Sequence, residues 1–545
     1  MVSRRGFLAS AAAPLATAQT RRPNVVLIIT DDQGYGDLSI HGNPHLETPS
    51  IDSIGRAGVQ FTQFHVNPVC SPTRSSLMTG RYYYRTGVVD TYLGRSMMHA
   101  DETTLAELLR DAGYRTGIFG KWHLGDNYPL RAIDQGFQEA LVHTGGGISQ
   151  PSDPPGNRYF DPILQHSGKP ERHKGYCTDI FLNAAGEFIE KNRSQPFFAY
   201  VATNAPHDPL EVDGALVAPY LAKGLDERTA KVYAMVKNID DNVGRLLERL
   251  RKLELERDTI VIFMTDNGPQ HDRYNGGIRG RKGTVYEGGI RVPFLLHWPA
   301  SVKPGSNVDR LAAHIDVMPT LLEACGVRLP GSLKIDGRSL MPLLRGKGDW
   351  ADRTLYFQWH RGDVPEMYRA CAARNQRYKL VDGKELYDLE ADPAEKNDIA
   401  VAHTGTVARM RAGYEAWFRD MASTRKFAPP RIHLGTPHEN PVTLTRQDWR
   451  GAKAGWAADS SGHWEVEVAS AGDYEVTLRL GAPLAARGRA RFRLNGAASE
   501  QAVEPGAASV RFARVALTAG AGQLAAEIDV GGGVVGPMYV DVRKL

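Results

Sequence analysis

Cysteine is scarce in this chain of 545 residues: there are four, Cys70, Cys177, Cys325 and Cys371. That number and spacing exclude a disulfide framework, and no close-spaced Cys/His cluster suggests structural zinc. Dense lysine or arginine runs are missing as well, and 66 basic against 62 acidic residues leave a net charge of only +4. Nucleic-acid binding is not expected from that balance. Beyond the first twenty residues no apolar run is long enough to span a bilayer, so no stable membrane anchor is expected. Glycine is plentiful instead, 56 residues beside 32 prolines, which suits an enzyme with a site built at loop ends. The length allows a large core and more than one domain.

Residues 1–20 read as an export signal. Ser3-Arg4-Arg5-Gly6-Phe7-Leu8 precedes an Ala-rich apolar stretch, and Ala16-Thr17-Ala18 resembles a small-residue cleavage site. The paired arginines resemble a bacterial twin-arginine signal, which implies the twin-arginine export machinery as a partner and a periplasmic or secreted location. No cysteine lies near the cleavage point to make a lipoprotein.

The most informative stretch runs Cys70-Ser71-Pro72-Thr73-Arg74-Ser75-Ser76-Leu77-Met78-Thr79-Gly80-Arg81. Pro72 suits the first turn of a helix, Ser71 can cap it, and Gly80 can end it. Cys70 then stands at a helix N-terminus, which favours anions, with Arg74 one turn further on.

Two distant segments share one character. Asn24-Val25-Val26-Leu27-Ile28-Ile29-Thr30 is a continuous apolar run ending in Asp31-Asp32, and Thr259-Ile260-Val261-Ile262-Phe263-Met264-Thr265 ends in Asp266-Asn267. Such runs are expected of strands covered on both faces. As central strands of one parallel sheet, their carboxyl ends would open on the same edge, where α/β folds place ligands. Three carboxylates and an amide oxygen form a hard-oxygen set suited to Ca²⁺ or Mg²⁺.

Gly120-Lys121-Trp122-His123 follows another short strand pattern, and on extended backbone Lys121 and His123 would share a side. His207 lies on a loop stiffened by Pro206 and Pro209, and Lys282 lies in a basic, Gly-rich segment, 281–291. With a divalent cation and Arg74, these groups make a net positive site for an oxyanion, with no electrostatic choice between sulfate and phosphate.

The string C-x-P-x-R with T-G-R, together with G-K-W-H, resembles the type I sulfatases of the alkaline phosphatase superfamily. The resemblance covers about residues 22–420. It implies oxidation of Cys70 to formylglycine by a formylglycine-generating enzyme during maturation, and one Ca²⁺ held by Asp31, Asp32, Asp266, Asn267 and the modified Cys70. It implies catalytic roles for Cys70, Arg74, Lys121, His123, His207 and Lys282. The activity implied is hydrolysis of sulfate monoesters, of a sulfated carbohydrate, polysaccharide or aryl sulfate, with release of inorganic sulfate. A phosphonate monoester or phosphodiester hydrolase using the same nucleophile, and a catalytically idle glycan-binding protein, are the alternatives.

The expected fold is α/β: an alkaline-phosphatase-like mixed sheet between helical layers, with a small C-terminal antiparallel-sheet subdomain and an appended all-β sandwich. The domains are placed at 21–348 (catalytic), 349–428 (subdomain) and 429–545 (sandwich), with helices at 104–110, 232–253 and 407–420. Alternation at 474–480, 489–494 and 524–530 marks the sandwich as independent, and Asn495-Gly496 as a turn. Trp449, Trp456 and Trp464 could stack on sugar rings there or fill a core. Loop 145–158 is expected to form the substrate-selecting rim.

Overall fold

The computed structural model describes residues 22–346 and 350–545. The expected signal at 1–20 and the boundary at 348/349 lie outside the described residues.

The first strand, Asn24–Thr30, is buried at all seven positions. Its side chains alternate between two cores: Val25, Leu27 and Ile29 enter one, Val26 and Ile28 the other. A strand with helices on both faces must be apolar throughout, which is why its sequence shows no polar alternation. Thr259–Thr265 behaves alike and pairs with it in parallel, Thr30 opposite Thr265. On the other side come Phe197–Ala202, Arg115–Lys121 and Glu139–His143, all parallel. Antiparallel pairings toward both edges complete a ten-stranded mixed sheet.

Helices cover both faces. Cys70–Thr79, Leu105–Asp111 and Val317–Ala324 send Leu77, Leu105 and Leu321 into the first core. Pro49–Arg56, Cys177–Lys191 and Glu227–Lys252 send Ile54, Phe181 and Ile239 into the second. Each such side chain contributes about 1.5–3 kcal/mol when fully buried. Thr104 proves to be a cap: its hydroxyl accepts from Glu107 N at 3.1 Å, and the Glu107 carboxylate accepts from Thr104 N at 2.9 Å. The long helix begins five residues before the expected 232, because Asp226 caps it by accepting from Thr229 N at 3.0 Å.

Leu355–Gln358, Cys371–Arg374, Tyr378–Val381 and Glu385–Asp388 form the small antiparallel sheet, covered by Thr404–Arg425. Phe357, Leu380 and Trp417 join the first core of the main sheet. A buried ionic knot ties the two parts together: Lys379 Nζ lies 3.2 Å from Glu287 and 2.8 Å from Glu395, and Glu287 lies 3.1 Å from His65.

The C-terminal region is all-β, with six strands in one sheet and four in the other. Between Gly488–Leu494 and Ala497–Val503, Asn495 and Gly496 both take positive φ, 48° and 82°, as the primed hairpin turn requires. Trp449 and Trp464 are fully buried with ring centroids 5.6 Å apart. They fill the core of the sandwich and are closed to sugars. This core is also not closed on itself, for Leu93, Met97 and Leu130 from the catalytic part pack into it.

Candidate active site

Cys70 is the first residue of the helix Cys70–Thr79, all ten residues of which are buried. The N-cap is Val69, without a side-chain cap, and the Ser71 hydroxyl has no partner. The expected Ser71 cap is therefore absent because the helix starts one residue before it. Gly80 ends the helix at φ 66°, its N–H donating to Ser76 O at 2.9 Å. Burial pushes the Cys70 thiol up, although Lys121 and Lys282 pull the other way.

Arg74 donates to Asp266 Oδ2 from Nη2 (2.8 Å) and Nε (3.1 Å), and from Nη1 to the Lys121 carbonyl (3.1 Å). Lys121 Nζ meets Asp31 Oδ2 at 2.5 Å, and Lys282 Nζ meets Asp32 Oδ1 at 2.5 Å. Asn267 also donates to Asp32 Oδ1, at 2.8 Å. Burial alone would raise the Asp32 carboxyl, but Lys282 and then His207 outweigh it and hold it well below the carboxylate range. Asp266 goes the other way, pushed up to about 6 by burial and by Asp31 against the pull of Arg74.

The two histidines are neutral. His207 is lowered to about 4, mainly by burial; its Nδ1–H donates to Asp208 O at 2.6 Å, and Nε2 lies 3.8 Å from Asp32. His123 is also pushed well down by burial and then by Lys121. Its Nε2–H donates to Thr91 O at 2.7 Å, leaving Nδ1 buried without a partner and able to accept a proton. The extended geometry expected for Lys121 and His123 does not hold. The strand ends at Lys121, and His123 turns into the left-handed region at φ 61°, as does Asp32 at φ 62°. Such residues cost roughly 1–3 kcal/mol each and gather at functional sites.

All ten expected site residues are thus gathered at one sheet edge, linked by these contacts. The donor set also fits a hard cation. Asp31 Oδ1, Asp32 Oδ2 and Asn267 Oδ1 are buried with no hydrogen-bond partner. Ligand atoms of Asp31, Cys70 and Asp266 lie within 4.8 Å of one another, as do those of Asp31, Asp32 and His207. Unpaired buried oxygens of this kind are costly unless something positive satisfies them.

The Gly-rich segment carrying Lys282 is anchored. A Cβ on Gly289 would stand 2.1 Å from Thr284 O, so only glycine allows that close turn. Lys282 N donates to Pro269 O at 3.0 Å and Gly283 N to Pro68 O at 2.8 Å.

Above Cys70 opens a cavity of about 630 Å³, lined among others by His123, His207 and Lys282, with Gly146 and Gln150 from the expected rim loop. Sequence reasoning missed His143, which is buried and lies opposite Lys121 at the end of the next strand. Its position at a strand's carboxyl end was the available signal. Tyr92, Trp359 and Arg361 also line the cavity, and nothing in their local sequence marks them.

A family model described as Sulfatase matches residues 23–327, and one described as N-sulphoglucosamine sulphohydrolase, C-terminal, matches 281–412. Arylsulfatase A of Homo sapiens is 34% identical over 430 residues, 72% of this chain and 81% of that protein. N-acetylgalactosamine-6-sulfatase of Homo sapiens is 34% identical over 381 residues, 64% and 70% of the two chains. Among solved structures, Ps i-CgsB in complex with k-i-k-neocarrahexaose superposes with a TM-score of 0.67 at 29% identity, covering 73% of this chain and 93% of that one.

Proposed function

The chain belongs to the sulfatase family and is a sulfuric ester hydrolase, and from that premise we propose that it cleaves sulfate monoesters of carbohydrates at Cys70, matured to formylglycine. The observation that carries this reading is the placement of Cys70 at the cavity, beside Lys121, Lys282 and the unpaired carboxylate oxygens. A bare thiol held neutral by burial is a poor nucleophile, whereas a hydrated aldehyde supplies one hydroxyl for attack and a second whose collapse expels the sulfate.

Asp31, Asp32, Asp266, Asn267 and the modified Cys70 would hold the cation, which supplies Lewis-acid polarisation of the sulfuryl group when bound. Calcium is the proposed ion, on the hard-oxygen character of the set. Lys121 and Lys282 each present an ammonium already fixed by a carboxylate, so they stabilise charge on sulfuryl oxygens without reorganising. Arg74 orients Asp266 and the Lys121 backbone and, one turn along the helix, stands by to stabilise the modified Cys70. The Lys282 ammonium, with His207 beside it, is placed to assist departure of the alcohol oxygen by giving it a proton, and His123 Nδ1 to accept one during collapse.

A twin-arginine route to the periplasm or exterior accompanies this reading. Among the described residues no helix is long and apolar enough to cross a membrane. The division at 21–348, 349–428 and 429–545 is retained as a proposal. The test is release of inorganic sulfate from defined sulfated sugars and from 4-nitrophenyl sulfate, beside an aryl phosphonate. Cys70→Ala abolishes turnover. Near-normal activity in that variant, or an unmodified thiol in active enzyme by peptide mass, would sink the assignment.

A further inference from the structure

The three tryptophans singled out in the C-terminal region part company in the structure. Trp449 and Trp464 are fully buried, while Trp456 keeps 40% of its surface open and lines the cavity that holds Cys70. The mouth of that cavity is assembled from distant segments: Thr91 and Tyr92 from the catalytic part, Trp359 and Arg361 from the small-sheet part, and Trp456 from the sandwich. Tyr92 meets Trp456 edge to face, centroids 5.3 Å apart at 80°.

The position of Trp456 is set by a buried scaffold. Arg446, 4% exposed, donates to the carbonyl of Trp456 at 3.1 Å and to those of Gly536 and Pro537 at 2.6 and 3.0 Å. Its guanidinium lies 5.0 Å over the Trp449 ring. The sandwich is also keyed to the catalytic part. Gln447 Nε2 donates at 3.0 Å to Thr91 O, the same carbonyl that holds His123, and Arg450 donates to Gly94 O at 2.8 Å.

From this juxtaposition we infer that the C-terminal sandwich is a wall of the active site, and that Trp456 is a specificity-determining platform for a second sugar ring of a sulfated oligosaccharide. The inference rests on the sulfate-ester reading above. A rigid aromatic offers a large amphipathic surface at little entropic cost, and pyranose rings present a face of C–H groups to it. A cavity of about 630 Å³ lies in the range that takes ligands larger than a single small ester. The Arg361 guanidinium, paired with buried Asp90 at 3.2 Å and 4.3 Å over the Tyr92 ring, holds that ring in place beside Trp456.

The experiment uses full-length, Cys70-converted protein as wild type, Trp456→Ala and Trp456→Phe. The probes are 4-nitrophenyl sulfate and size-graded sulfated galactan and glycosaminoglycan oligosaccharides, from one ring to four. In Trp456→Ala the ratio of kcat/KM on oligosaccharide to kcat/KM on 4-nitrophenyl sulfate falls about tenfold, equivalent to ~1.4 kcal/mol, through KM. Trp456→Phe recovers most of it. An unchanged ratio in Trp456→Ala overturns the inference, as does a wild type that gains nothing from a second ring. Absence of sulfate release from every probe by converted wild type instead overturns the sulfatase reading, and the platform with it.

Discussion

Removing Arg74 should strike stability and turnover together, and the two effects can be pulled apart. Arg74 and Asp266 are 1% and 0% exposed at the side chain and share two hydrogen bonds to one oxygen. Arg74→Ala leaves Asp266 buried beside Asp31 without its cation, a change that costs about 3–5 kcal/mol when one partner of a buried pair is deleted. For a cooperative unit of about 400 residues at ~2.1 cal/mol/K each, that is a Tm loss of roughly 4–6 °C. The loss is read by thermal unfolding in chelator-treated protein, so that a bound cation does not mask the charge. Adding Asp266→Asn removes the stranded carboxylate, so the double variant should melt above Arg74→Ala. Its turnover should stay absent, because an oxygen proposed to hold the cation has lost its charge. A Tm within about 1 °C of wild type for Arg74→Ala, or a double variant less stable than the single, would refute the argument.

Two further outcomes follow from the same structure. Chelation should lower Tm, and added calcium at a hundred times its Kd should restore about 2.7 kcal/mol; a Tm indifferent to calcium would leave the unpaired oxygens of Asp31, Asp32 and Asn267 without a metal. At the seam between catalytic part and sandwich, burial and then Asp126 push the Asp448 carboxyl well up, and burial pushes Asp126 up to about 7. Both groups take up protons on folding, so their contribution is whole below the unfolded value near 3.8 and is lost as pH rises, for Asp126 through about 7. Asp448→Asn should therefore gain on wild type between pH 5 and pH 8, by roughly 1–3 °C at the upper end, and a flat difference across that window would refute the sign.

The reacting half of the site was legible in the sequence because each part carries a local mark. An unbroken apolar strand followed by acids places Asp31, Asp32, Asp266 and Asn267 at one edge, since a doubly covered strand leaves its polar residues nowhere else to go. The Cys70 helix announces itself by Pro72 and Gly80. What was lost is set by tertiary geometry. A positive φ at His123 has no reliable signature in a non-glycine residue. Nothing local distinguishes Trp449 from Trp456 in the sequence, although one lies in a core and the other on a loop held by Arg446. The cavity mouth draws on Tyr92, Trp359 and Trp456, residues far apart in the chain that no local period connects.

The burial of the Cys70 helix also sets a clock. That helix is sealed partly by His314–Asp316 and Val317–Ala324, some 250 residues downstream. At ~5–20 residues per second of synthesis, the thiol is out on the nascent chain for roughly 12–50 s before its cover exists. Any enzyme that oxidises it must reach it on an open ribbon, before that cover folds down, and a chain that closes first carries a mute cysteine.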